Sequence, residues 1–259
     1  MVVEQIADSV GAQFVALTQQ LLGATGWQRP AVGQACVLLF DSQPWVCHAA
    51  SASLLLEPFE RERAARFRFE RDRIAYTMAH AMWRLLLANT LHVGVDEVPL
   101  RSTPSGQPIL PNTGVATSLS HSGSWVAIAV GQLMTLGVDI ELSPSPHTLG
   151  DLLETICTPR EAVGMRRLPE VEREAALLAL WTRKEALLKA FGTGLGTDPA
   201  NLSGAVDQPI EAPIGSSFPA CRVHSLHCLD ISPVVVGALA VPVGVSDGRL
   251  FVITGMKHA

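Results

Sequence analysis

The stretch Thr158-Pro159-Arg160-Glu161, continued by Arg167-Leu168 and closed by Leu187-Leu188-Lys189-Ala190, has an earlier counterpart in Glu57-Pro58-Phe59-Glu60, Arg66-Phe67 and Leu86-Leu87-Ala88. Proline to glutamate is two residues in both copies, proline to arginine is eight in both, and proline to the closing alanine is 30 in one and 31 in the other. Proline suits the first turn of a helix, so each copy reads as a helical segment opened by proline. The echo predicts an α+β pseudo-dimer of two similar α/β halves with the active site in the cleft between them. The expected divisions are an N-terminal extension over 1–34, an N-terminal half over 35–136 and a C-terminal half over 137–259.

Outward from the repeat, Cys36 to Phe40 reads as a buried strand, and Pro58 opens an amphipathic stretch through Ala88. Trp125–Val130 and Leu136–Leu142 are β-rich runs separated by five residues beginning with Gly131, which predicts a hairpin. Helices are expected over Pro159–Arg167 and Glu172–Phe191, where Gly192, Gly194 and Gly196 stop them. Strands are expected over Arg222–Leu229, Val234–Val243 and Leu250–Thr254. The first 34 residues carry Phe14, Leu17 and Leu21 at helical spacing before the breakers Gly23, Gly26 and Pro30, and read as an appendage.

The chain has 259 residues, 48% of them hydrophobic and 17% charged, which excludes disorder and fibrous repeats. A net charge of −5 supplies no general field for nucleic acid or anionic membrane. The richest apolar run, Val234 to Val245, is broken by Gly237 and Pro242 and is too short to span a bilayer. No basic segment leads into an apolar one at Met1, and the five cysteines contain no C-x-x-C, so a reducing cytoplasm is expected. Cys221, His224, His227 and Cys228 have metal-like spacing, but in a strand they would point to both faces, so histidines of a half-buried strand are the better reading.

Lysine is scarce, and two of the three, Lys184 and Lys189, flank Glu185 in Trp181-Thr182-Arg183-Lys184-Glu185-Ala186-Leu187-Leu188-Lys189. Glu185 and Lys189 share one helix face, either as a surface ion pair or as site residues. In Gly137-Val138-Asp139-Ile140-Glu141 the two acids would lie on one side of a strand. That is costly when buried unless a cation intervenes, and unremarked if the face is in water. With neither cysteine nor histidine in the set, Mg²⁺ is the favoured ion. Ser118-Leu119-Ser120-His121-Ser122-Gly123 offers hydroxyls and a glycine turn for a phosphate cradle, with His121 expected at the open end of the hairpin. Arg61, Arg63, Arg66, Arg68, Arg71 and Arg73 are interleaved with Glu60, Glu62, Glu70 and Asp72, a balance of +2 in which one or two arginines would suffice for a phosphate.

Gly137–Glu141 and, after 39 intervening residues, the block opening at Trp181 resemble the two main motifs of the 4′-phosphopantetheinyl transferase superfamily, surfactin-synthetase-activator type. Ser118 to Gly123 resembles its S-x-S-H-S-G motif, and Gly106-Gln107-Pro108 its G-K-P motif with glutamine for the lysine. The resemblance covers roughly residues 35 to 245. It implies a pseudo-dimer that transfers the phosphopantetheine arm of coenzyme A to a serine of an apo acyl or peptidyl carrier protein, releasing 3′,5′-ADP. It implies Asp139, Glu141 and Glu185 as ligands of Mg²⁺, with Mn²⁺ as the alternative ion, and Asp139, Glu185 and Lys189 as the catalytic set. Lys184 and Lys189 would contact phosphates or the leaving group, with Ser120 and His121 near them. Arg63 would take the 3′-phosphate with Arg61 or Arg66, while Arg101 and Gln107 would face the nucleotide. Glu185 and a metal-associated water are both candidate proton acceptors. The resemblance further implies a cytoplasmic monomer without nucleic-acid or membrane partners and with a broad carrier range. The competing readings are a non-catalytic coenzyme A or carrier-binding module and a Mg²⁺-dependent nucleotide pyrophosphohydrolase.

Overall fold

The structure is a computed structural model that describes residues 2–227, 234–245 and 247–253. In chain order its helices are α1 (Val2–Ala24), α2 (Ala49–Ser53), α3 (Pro58–Ala65), α4 (Glu70–Leu91), α5 (Leu153–Ile156), α6 (Pro159–Met165) and α7 (Glu170–Phe191). Its strands are β1 (Gln34–Asp41), β2 (Arg101–Ser102), β3 (Pro108–Ile109), β4 (Ala116–Ser122), β5 (Trp125–Gly131), β6 (Gly137–Ser143), β7 (Cys221–His227), β8 (Val234–Pro242) and β9 (Asp247–Ile253). Leu229, Cys228 and Thr254, which figure in the expectations above, lie outside the described residues. No described helix is long and apolar enough to cross a membrane.

Two sheets stack between helices. The first has the order β4-β5-β1-β9 and the second β6-β8-β7, while β2 and β3 pair separately. Period-two alternation divides β1 between two cores: Cys36, Leu38 and Phe40 join α4 in one, while Ala35, Val37 and Leu39 meet Val138 and Ile140 of β6 in the other. On the outer side of the second sheet, Ala186, Leu187 and Ala190 of α7 pack on Val223, Ala238 and Ala240.

The helical repeat has the same local chemistry in both copies. Pro58 and Pro159 each open a helix behind a capping box, in which the residue before the proline and the glutamate two after it (Glu60 or Glu161) satisfy each other's free N–H groups. Each glutamate also meets a cation from the following long helix: Arg84 Nε lies 2.6 Å from Glu60 and Lys184 Nζ 2.6 Å from Glu161.

Three expectations are corrected. Trp125–Val130 and Leu136–Leu142 do not form a hairpin; β5 lies antiparallel between β4 and β1, with both edges taken, so β6 pairs with β8 instead. The hairpin is β4–β5, and His121 lies beside its tight turn, opposite Val126. The last strand, assigned to the half 137–259, is β9, which lies parallel to β1 in the first sheet. Nor is the first segment a loose appendage: Phe14 is fully buried, edge-on to Trp45 at 5.9 Å between ring centroids, and Trp27 meets Phe251 at 5.0 Å. Phe14→Ala is therefore expected to lower unfolding free energy by about 3–5 kcal/mol, measured by denaturant titration; a loss under about 0.5 kcal/mol would show α1 to be dispensable packing.

Candidate active site

Strand β6 is an edge strand of its sheet and faces β4, the edge of the other. Its N–H groups on that side would be orphaned, and serine hydroxyls meet them: Ser118, Ser120 and Ser122 accept from Val138, Ile140 and Leu142 N–H at 3.1, 3.3 and 3.1 Å. Alternate serines are required because only every second residue of β4 points to this seam. Two of the hydroxyls then donate onward, Ser120 to Asp139 Oδ1 at 2.8 Å and Ser122 to Glu141 Oε2 at 2.7 Å. The serine motif thus joins the sheets and aims the acids; Ser120, expected beside the phosphates, is committed to this seam.

Helix α7 lies against β6 at short range. A Cβ on Gly137 would come within 2.0 Å of the Ala186 carbonyl, so glycine is what permits the approach. Across that contact Lys189 reaches into the seam, donating to Asp139 Oδ1 at 2.8 Å, Val138 O at 3.0 Å and Leu119 O at 3.4 Å. Asp139 Oδ2 and Glu185 Oε1 are buried without any hydrogen-bond partner. Burial first, then the charges of Asp139 and Glu141, push the Glu185 carboxyl above the usual carboxylate range, against the pull of Lys189. Burial followed by Asp139 likewise raises Glu141, against its hydrogen bond from Ser122.

Two orphaned oxygens in an acidic, half-desolvated setting have the donor chemistry of a site for a hard divalent cation. With Glu141 turned onto Ser122, no three acidic, histidine or cysteine side chains among the described residues converge as a ready-made cage.

Beside this centre a cavity of about 340 Å³ runs between the two helical repeats. Lys189 and His121 lie in its wall on the acidic side, and Arg63, Phe67, Tyr76, His80 and Trp83 on the side of α3 and α4. Burial, then the charge of Lys189, hold the His121 imidazole below the ordinary histidine range. Arg63 lies over the Tyr76 ring at 5.8 Å and forms no ion pair among the described residues. Gln107 also lines the cavity, donating to the Lys189 carbonyl at 3.3 Å and packing against Gly192, whose left-handed φ of 66° ends α7.

The other expected residues are elsewhere. Lys184 is fully buried and donates to Glu161, Ile156 O and Pro199 O at 2.6, 2.6 and 3.0 Å, so its ammonium braces the second half and is not among the residues lining the main cavity. Arg61 is tied to the Leu56 carbonyl at 2.5 Å, Arg66 lines an adjoining depression that shares Arg63 and Phe67 with the main cavity, and Arg101 is exposed on β2, donating to the Leu100 carbonyl at 3.0 Å. The wall formed by Tyr76, His80 and Trp83 was not read from the sequence. Its framework is Glu60, which takes His80 Nδ1 at 2.9 Å besides Arg84, and Thr117, which accepts the Trp83 indole N–H at 2.7 Å. The repeat that marked Glu60 and Glu161 as equivalent was the available signal.

The fold and site therefore define an α+β protein with a buried acid–lysine centre beside a cavity with arginine and aromatic walls. Residues 42–133 match the family model described as 4′-phosphopantetheinyl transferase, N-terminal, and residues 135–221 match that of the 4′-phosphopantetheinyl transferase superfamily. The chain is 32% identical over 184 residues to a phosphopantetheinyl transferase of Thraustochytrium sp., covering 63% of each protein. It is 31% identical over 161 residues to the 4′-phosphopantetheinyl transferase HetI of Nostoc sp., covering 56% of this chain and 68% of HetI. A third relative, the L-aminoadipate-semialdehyde dehydrogenase-phosphopantetheinyl transferase of Rattus norvegicus, is 27% identical over 180 residues, 65% of this chain and 58% of that protein. The chain belongs to the 4′-phosphopantetheinyl transferase superfamily.

Proposed function

We propose that this chain transfers the 4′-phosphopantetheine arm of coenzyme A to a serine hydroxyl of an apo acyl or peptidyl carrier protein in a Mg²⁺-dependent reaction, releasing 3′,5′-ADP. The observation that carries this reading is the pair of orphaned carboxylate oxygens, Asp139 Oδ2 and Glu185 Oε1, held with Lys189 beside the cavity. The matching Glu60–Arg84 and Glu161–Lys184 braces support a duplicated architecture, with the cavity as the cleft between its halves. Such a duplication replaces a subunit contact, so the active species is read as a monomer.

Asp139 and Glu185 would hold the Mg²⁺, with Glu141 reaching it after release from Ser122. When bound, the ion supplies charge compensation for a diphosphate. The chain's own residues do the rest. Lys189, its ammonium held by two carbonyls and Asp139, stands where negative charge grows as the 3′,5′-ADP phosphate departs. Arg63, braced over Tyr76 in the cavity wall, would take the remaining phosphate, and Gln107 would contribute hydrogen bonding without charge. Neutral His121, its charged form disfavoured, can accept or donate one hydrogen bond at the cavity wall.

Incubation with coenzyme A, Mg²⁺ and apo carrier proteins of the fatty-acid, polyketide and nonribosomal-peptide types is expected to add one phosphopantetheine to at least one carrier, read by intact-protein mass spectrometry. No addition to any carrier, or release of free phosphopantetheine without a carrier, would sink the transferase reading.

A further inference from the structure

Away from the acidic centre, α6, α7 and the loop 203–208 enclose a second cavity of about 510 Å³. Leu168, Leu180 and Arg183 are in its lining.

Arg183 is the anomaly. Its side chain is half-buried, and its Nε–H donates to the Gly204 carbonyl at 2.8 Å. It forms no ion pair among the described residues. Glu161, the one carboxylate in the lining, is spent: Oε2 accepts from Lys184 at 2.6 Å and from Thr158 N–H at 2.8 Å, and Oε1 accepts from Gly204 N–H at 2.9 Å. A guanidinium withdrawn from water without a carboxylate is unfavourable unless an anion meets it. Arg160 adds a second cation at the rim, exposed and likewise without an ion pair among the described residues. With Glu161 hydrogen-bonded to Lys184, the lining holds two guanidinium groups that have no carboxylate at ion-pair distance among the described residues, and Met165, Leu168 and Leu180 supply an apolar wall.

We propose that this cavity is a second ligand site, for a phosphomonoester on a nucleotide-sized, partly apolar body, with the guanidinium fork of Arg183 and the rim charge of Arg160 receiving the phosphate. Two guanidinium groups match a phosphate dianion better than a single carboxylate, and a planar fork binds two of its oxygens at once. The site owes nothing to the transfer reaction and would exist if that reading failed.

The test is calorimetric titration of the full chain, in chelator, with adenosine 3′,5′-bisphosphate as the probe. Two binding events per chain are expected. Arg183→Gln should weaken one of them by about 10- to 100-fold, the usual scale for a charge-assisted contact, and leave the other unchanged. Arg63→Ala should affect only the other. If the main cavity does not take this nucleotide, the wild-type chain shows one event that survives Arg63→Ala and is lost in Arg183→Gln. An Arg183→Gln isotherm superimposable on wild type overturns the proposal. Should that variant fail to fold, Arg160→Ala, a change at an exposed position, must weaken the same event several-fold, and an unchanged isotherm overturns the proposal equally.

Discussion

Glu185→Gln is expected to lower carrier modification at least about a hundredfold while making the metal-free protein more stable, two effects of opposite benefit from one atom's change. The activity loss follows from replacing one of the two carboxylates with an orphaned buried oxygen. The stability gain follows from the sign of the carboxyl's displacement. Burial and the negative charges of Asp139 and Glu141 raise it above the unfolded value, so its contribution to stability is fully present below the ordinary carboxylate pKa and is lost as pH rises through the raised value. Above the ordinary carboxylate pKa the cost of ionising this buried group opposes folding, and the neutral amide of similar shape removes that opposition. A rise in Tm of a few degrees in chelator is expected, at about 2–4 °C per kcal/mol for a chain of this size. Adding Mg²⁺ should raise the Tm of the wild type and have little effect on the variant. A variant that keeps full transfer activity and the wild-type Mg²⁺ response would remove Glu185 from the centre.

The second large effect is expected at Glu161. Lys184 is fully buried, and Glu161 is its sole acidic partner at ion-pair distance among the described residues. Glu161→Ala would leave an ammonium in the interior with only carbonyls around it, at a cost of about 3–5 kcal/mol, or a fall in Tm of about 6–20 °C. The double substitution Glu161→Met with Lys184→Met should recover much of that loss, because it removes both charges together. Transfer activity of the double variant at a permissive temperature should stay near wild type if Lys184 only braces the fold. A collapse of kcat in a folded double variant would return Lys184 to the phosphates. Burial opposes the ionised form of Glu161, but the hydrogen bond from Lys184 and those from the Gly204 and Thr158 N–H groups outweigh it and hold its pKa down. Its stabilisation is therefore present above the unfolded carboxylate pKa and lost as pH falls through the lowered value. Glu161→Gln should flatten the acid limb of a plot of Tm against pH below about pH 5.

Much of this protein is legible without coordinates, for reasons that differ by element. The helices α6 and α7 were visible because an opening proline and closing glycines are local signals that need no partner. Asp139 and Glu141 stood out because like charges within an apolar strand demand an explanation, and Glu185 because it shares a helix face with the scarce Lys189. Strand pairing was another matter. The run over β5 is apolar and buried throughout and that over β6 is buried along its first half, and nothing in such a run says which neighbour each will take. β5 was claimed on both edges by β1 and β4, which sent β6 to β8.

By itself, then, the sequence determined the periodicities, the helix starts at Pro58 and Pro159, the repeat and the inventory of charges able to do chemistry, since all of these depend on residues a few positions apart, whereas the break that divides 58–91 into α3 and α4 was not read. Only the tertiary structure decided which charges meet. It set Lys189 in the seam between two sheet edges and Lys184 in the interior, although both lie on α7 five residues apart. It likewise turned the serines of β4 from a phosphate cradle into the join between the sheets. Buried polar groups must be satisfied by whatever the fold brings within hydrogen-bond reach, and that is a property of long-range packing, which spacing along the chain does not specify.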